Sequence, residues 1–137
     1  MSFETTARVR FADVDLAGIV FYPRYFEMLN AAVEDWFSQR LGLPFGVMHQ
    51  DLKMGVPTVS LSVTFAHPSR LDERLSIVLT PREIGRSSCT VDVLFTGNGL
   101  DRLKAVVVLV CMDLVSICSM PWPDDVRAKM QSDLALA

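Results

Sequence analysis

The chain has 137 residues, a size that suits one compact domain, and half of them are hydrophobic while 21% are charged. That composition excludes intrinsic disorder, and a net charge of −3 at pH 7 excludes a generally basic nucleic-acid footprint. The mean hydropathy of +0.31 is high for a small domain, which has too much surface to hide unlimited apolar side chains, and points to apolar area buried against another chain.

In chain order, Thr5 to Phe11 reads as a short strand, with Ala7, Val9 and Phe11 on one face and Thr6, Arg8 and Arg10 on the other. An irregular segment from Ala12 to Tyr22 leads to Pro23, which fits the first position of a helix because that residue needs no N–H. From Pro23 to about Leu41 the period is helical. Phe26, Leu29, Val33, Trp36, Phe37 and Arg40 share one side, and Gly42 is a stop signal. A linking stretch around Phe45 to Met54 follows, after which the period switches to two.

Val59, Leu61, Val63 and Phe65 alternate with polar residues, as do Leu75, Ile77 and Leu79, and then Cys89, Val91, Val93 and Phe95. Gly97-Asn98-Gly99 carries the Asn-Gly hairpin signal. The Val-rich run from Lys104 to about Ser116 is apolar on both faces, which predicts a central or interface strand. Pro121-Trp122-Pro123 ends the sheet, and Asp124 to Gln131 reads as a short terminal helix. One aromatic-rich helix followed by four strands is most simply an α+β architecture, an antiparallel sheet of about five strands wrapped round a long central helix. No linker or repeat divides residues 1–137, so a single domain is expected.

Cys89, Cys111 and Cys118 form no C-x-x-C pair, and with His49 and His67 as the two histidines no metal site or disulfide framework is expected. The segment from Met1 to Arg8 lacks the apolar stretch of a signal peptide. The apolar run from Ala105 to Met112 falls far short of the ~20 residues of a membrane span. A cytoplasmic protein binding neither membrane nor nucleic acid is the resulting expectation.

Chemistry concentrates between Phe11 and Phe26. Two acids, Asp13 and Asp15, sit in an otherwise apolar loop just before the core helix. Carboxylates near apolar walls lose hydration and gain basicity; equally, either acid could cap the helix or pair with Arg8 or Arg10. Asp13 reads as the weaker catalytic candidate, a loop-stabilising or solvent-facing carboxylate. Gly18 reads as a turn residue with positive φ. Neither Phe21 nor Tyr22 can cap the helix with a side-chain oxygen, and Pro23 has no N–H, so the Tyr22 amide is left pointing out of the helix start. A base and an electrophilic helix terminus on one loop suit acyl transfer.

The pattern Asp13-x-Asp15-x-x-Gly18-x-Val20-x-Tyr22-Pro23-x-Tyr25, opening a long helix, resembles the hot-dog-fold acyl-CoA thioesterases, most closely the 4-hydroxybenzoyl-CoA thioesterase branch. The resemblance implies thioester hydrolysis without metal or organic cofactor, in a homodimer or homotetramer that builds its active sites at the interface. It makes Asp15 the catalytic carboxylate, as nucleophile or as base for a water, and the Tyr22 N–H the donor to the thioester carbonyl. Gly18, Val20 and Pro23 become substrate-binding positions.

Asn30 lies inside the expected apolar stripe, about 40° round from Phe26, where the hydroxybenzoyl branch has an aspartate gripping the ring hydroxyl. It is therefore expected to line the acyl pocket of an aryl or medium-chain acyl-CoA other than 4-hydroxybenzoyl-CoA. For the CoA phosphates the matching basic cluster retains Arg86, with Arg82, Arg70 and Arg74 as possible helpers. Two alternatives are a hot-dog dehydratase or hydratase, disfavoured because no histidine is near Asp15, and a non-catalytic acyl-CoA or acyl-carrier binding module, which would not need Asp15.

Overall fold

The period-two segments form an antiparallel five-stranded sheet in the computed structural model, which describes residues 2–134; residue 1 and residues 135–137 lie outside it. Its strands are β1 (Phe3–Arg8), β3 (Thr58–Phe65), β4 (Arg74–Ile84), β5 (Ser88–Gly97) and β6 (Leu100–Val110), in the spatial order β1-β4-β5-β6-β3. Three two-residue strands, β2 (Met54–Gly55), β7 (Met112–Asp113) and β8 (Cys118–Ser119), make a small second sheet. Helix α1 (Pro23–Gln39) packs on the large sheet, and α2 (Asp124–Ser132) follows the strands. The α+β expectation holds.

Alternation decides which side of each strand meets the helix. Leu75, Ile77 and Leu79 of β4, Cys89, Val91, Val93 and Phe95 of β5, and Leu103, Ala105, Val107 and Leu109 of β6 are all buried. From α1 they receive Tyr25, Leu29, Ala32, Val33, Trp36 and Phe37. The rings interlock edge-on, Trp36 with Phe37 at 5.5 Å and Tyr25 with Phe95 at 5.8 Å between centroids, a geometry aromatic quadrupoles favour. At Asn98 (φ 50°) and Gly99 (φ 75°) the chain turns β5 into β6, with Gly97 opposite Leu100, the primed turn the Asn-Gly pair anticipates.

Several expectations need correction. The first strand starts at Phe3 and stops at Arg8; Phe11 lies in a 3₁₀ turn (Phe11–Asp13) and is 82% exposed. The buried stripe of α1 includes Tyr25, while Phe26 is half-buried. The stripe centres near Leu29, so Asn30, about 100° further round, is exposed on its flank and not inside it. The stretch before β2 contains a π-helical turn, Val47–Asp51, whose Met48 is buried. β6 is paired on both sides, as a central strand should be, but ends at Val110 and not near Ser116, and β3 is the edge strand.

Candidate functional site

Local hydrogen bonding folds residues 10–21 into a tight loop. Asp13 is consumed by it: its carboxylate accepts from the Arg10 N–H at 2.8 Å, and its carbonyl accepts from the Phe21 N–H at 2.9 Å. Val14 and Val20 face each other across a two-sided turn in which the Asp15 N–H donates to Ile19 O and the Gly18 N–H donates to Asp15 O, both at 3.0 Å. Gly18 has φ +77°, and a Cβ there would meet nothing within 4 Å. The glycine therefore answers a backbone angle, not crowding.

Asp15 stands at the mouth of this turn. Its Oδ1 accepts from the Ala17 N–H at 2.9 Å, and Oδ2 has no partner among the described residues. The side chain is exposed in the single chain, which corrects the expectation of an acid buried in an apolar loop. Val20, by contrast, is 6% exposed and part of the core. Its side chain anchors the loop, and its N–H donates to Ser69 O at 2.9 Å.

The loop hands over directly to α1. Tyr22 occupies the cap position with helical angles (φ −53°, ψ −33°) and no side-chain cap, and half-buried Pro23 is the first helical residue. No side chain caps the helix, as read from the sequence; the Phe21 and Tyr22 carbonyls instead accept from the Arg24 and Tyr25 N–H groups at 2.8 and 3.2 Å. The Tyr22 N–H has no partner among the described residues. It sits at the positive end of a 17-residue helix, where oxygen bearing partial negative charge is stabilised.

Behind this junction lies a polar network that pattern reasoning missed. Ser69 and Arg102 are 0% and 3% exposed. The Tyr25 hydroxyl donates to Ser69 Oγ at 2.9 Å, and Arg102 forms a two-pronged pair with Glu73 at 3.0 and 2.9 Å. One signal was available: an arginine between Asp101 and Leu103 in a strand, three positions past the turn at Gly99, must find several acceptors if buried.

Beside α1, a groove of about 620 Å³ is lined by Glu27, Asn30, Glu34, Phe45, Val56 and Leu109, among others. Asn30 therefore reaches a groove from the helix flank. Arg86 is exposed; its carbonyl accepts from Trp122 and Arg127, and its guanidinium has no partner among the described residues. Arg82 is engaged by Asp92 through two hydrogen bonds, which raise its pKa and occupy its fork. Among the described residues no hydrogen bond or ion pair joins Arg86 to the Asp15–Tyr22 junction.

The model of the thioesterase-like superfamily matches residues 9–130, a span that includes the loop, helix α1 and every strand of the large sheet except β1. The chain belongs to that superfamily. It is 26% identical over 125 residues to a 1,4-dihydroxy-2-naphthoyl-CoA hydrolase of Thermosynechococcus vestitus, covering 90% of this chain and 85% of the relative. To a 4-hydroxybenzoyl-CoA thioesterase of a Pseudomonas species it is 34% identical over 84 residues, covering 59% of this chain and 58% of the other. A solved gentisyl-coenzyme A thioesterase superposes with a TM-score of 0.83 at 28% identity, covering 91% and 99% of the two chains. The fold is thus the hot-dog fold of these thioesterases.

His49 and His67 bond through Nδ1 to the carbonyls of Phe45 and Asp101 at 2.8 and 2.9 Å. Burial pushes the Cys89 thiol up to about 12 and Cys111 to about 11, far from a reactive thiolate. No helix is long and apolar enough to cross a membrane among the described residues.

The Glu73 pair makes a pH prediction. Hydrogen bonds from Arg102 and from the Arg70 N–H hold its carboxyl at about 2, against an ordinary 4.5. Above pH 4.5 both folded and unfolded chains carry the charge, and the pair's stabilisation is complete. As pH falls from there towards 2, the unfolded chain binds a proton that the native state refuses, and the contribution is lost. The melting-temperature gap between the wild type and Glu73→Gln should therefore shrink between pH 7 and pH 3. A gap independent of pH would contradict the assigned pairing.

Proposed function

We propose that this protein hydrolyses aryl-CoA thioesters to the free acid and CoA, using Asp15 and the Tyr22 N–H of one loop–helix junction. The observation that carries the reading is the coincidence, within one turn-and-helix unit, of an exposed carboxylate oxygen and a helix N-terminal amide that both lack partners among the described residues. The amide and the helix dipole draw charge onto the thioester oxygen as the carbonyl carbon becomes tetrahedral. Asp15 stands on the side of the attacking group, either adding to that carbon or taking a proton from the water that adds. The C–S bond then breaks, CoA leaves as thiol after taking up a proton, and the elements of water end on the acid and the CoA sulfur.

Hydroxylated aromatic acyl groups form the substrate class, since three relatives carry names of hydroxyaryl-CoA hydrolases. Asn30 supplies a neutral hydrogen-bonding group to the groove, and Gly18 and Pro23 border the reacting carbon on a loop that buried Val20 anchors from the core. Arg86, with its free guanidinium, is the phosphate contact. No metal or organic cofactor takes part in this chemistry.

The functional unit is a homodimer joined along β3. That strand is an edge with no charged residue, and Val59, Leu61 and Phe65 on it are 59%, 41% and 50% exposed. The opposite edge, β1, carries Glu4 and Arg8, the charges by which edge strands resist pairing. A second copy on β3 would cover the apolar surface that the composition predicts, and would close over the exposed Asp15 loop.

Release of free CoA thiol from a panel of aromatic and aliphatic acyl-CoAs tests the reading. Aromatic thioesters should be the faster group, and Asn30→Asp should reorder rates among hydroxylated and unsubstituted aryl groups. Unchanged relative rates in Asn30→Asp would remove Asn30 from the pocket; no thiol from any thioester would remove the function.

A further inference from the structure

Ser69 is hydrogen-bonded to both halves of the junction. Its carbonyl accepts from the Val20 N–H at 2.9 Å, on the segment that closes the Asp15 turn, and its Oγ accepts from the Tyr25 hydroxyl at 2.9 Å, one turn into the helix that presents the Tyr22 amide. Tyr25 is 4% exposed and Ser69 fully buried, so neither bond competes with water.

Ser69 is itself held from behind. Arg102 donates Nη1 to Pro68 O at 2.8 Å and to Glu73 Oε1 at 3.0 Å. Its Nη2 donates to Glu73 Oε2 and Gly97 O, both at 2.9 Å, and its Nε to Gly97 O at 3.2 Å. Ser69 Oγ lies 3.4 Å from Nη1. Asn98 Nδ2 adds a bond to Glu73 Oε2 at 2.9 Å. The whole fork of the guanidinium is thereby engaged, and it clamps the 66–73 connection to the β5–β6 hairpin. The Arg102 carbonyl reinforces the clamp by accepting from Ala66 and His67 at 2.9 and 3.3 Å.

A buried ion pair is a poor source of net stability, since well-packed apolar residues often do as well. What it supplies that apolar packing cannot is a fixed direction for each bond. We propose that Tyr25, Ser69, Arg102 and Glu73 are positioning residues that set the spacing between the Asp15 carboxylate and the Tyr22 amide. This rests on the proposed roles of those two groups. A carbonyl carbon must meet the carboxylate while its oxygen meets the amide, and rates are sensitive to displacements of about 1 Å at such a centre. The Tyr25–Ser69–Val20 bridge fixes that separation without touching substrate.

Tyr25→Phe and Ser69→Ala each delete one hydroxyl and leave the Arg102–Glu73 clamp intact, so both should fold. With benzoyl-CoA, each should lower kcat roughly tenfold, with KM changed by less than about twofold, because the loss is of alignment and not of binding. Combined with Asp15→Asn, Tyr25→Phe should cost much less than it does alone, since it acts through a group already removed. Full kcat in both single variants, with only a lowered melting temperature, would overturn the inference and leave Asp15 untouched. Multiplicative losses in the double variant would overturn it as well. Wild-type turnover by Asp15→Asn would instead remove the catalytic reading, and this inference with it.

Discussion

Asp15→Asn should lower kcat for aryl-CoA hydrolysis by about 10³-fold, within the range that a positioned base or nucleophile contributes, while the melting temperature and oligomeric state stay those of the wild type. The substitution is unusually clean here. Asp15 holds its own turn through Oδ1, which accepts from the Ala17 N–H, and asparagine keeps that oxygen and that turn. What it loses is the charge and the basicity of Oδ2, the oxygen with no partner among the described residues. A loss of rate with the fold preserved therefore reports chemistry. Steady-state thiol release beside a thermal melt measures both; near-normal kcat would refute the assignment and place the chemistry on a group other than Asp15.

Leu61→Glu should have the second large effect. Leu61 is opposite the buried Val107 in the β3–β6 ladder, so its side chain points to the helix side of the sheet, beyond the reach of α1, and is 41% exposed. In a dimer joined through β3 the substitution places a carboxylate from each copy in an apolar seam. An uncompensated buried charge costs several kcal/mol, so the dissociation constant should rise by about a hundredfold or more. Sedimentation should show a dimeric wild type and a monomeric variant, with specific activity falling as the dimer does. A variant that stays dimeric and active would mean that the copies meet elsewhere.

Local pattern was enough for much of this molecule. The helix from Pro23, the alternation of β4 and β5, and the Asn98-Gly99 turn each depend on neighbours in the chain, and each forms as read. Gly18 takes the positive φ read for it and Tyr22 stands uncapped at the helix start, because a turn and a helix start are local events, whereas Asp15 is exposed where an apolar loop was read. Non-local partners were illegible. That β3 pairs with β6 and becomes an edge depends on a connection over residues 66–73 with no period of its own. Asn30 shifted from the stripe to its flank because Tyr25, whose hydroxyl finds Ser69, turned out to be buried in place of Phe26. Arg102 and Glu73 are 29 residues apart, and a salt bridge across that distance leaves no spacing to read. The two-residue strands β2, β7 and β8 are too short to show a period.

The central claim is that one thioester carbonyl is held between the residue-15 side chain and the Tyr22 amide. A crystal structure of the Asp15→Asn variant with intact benzoyl-CoA tests it most directly. The carbonyl oxygen should lie about 3 Å from the Tyr22 nitrogen, with the residue-15 side chain beside the carbonyl carbon and the aryl ring in the groove lined by Asn30. A thioester bound with its carbonyl oxygen turned away from Tyr22 would contradict it.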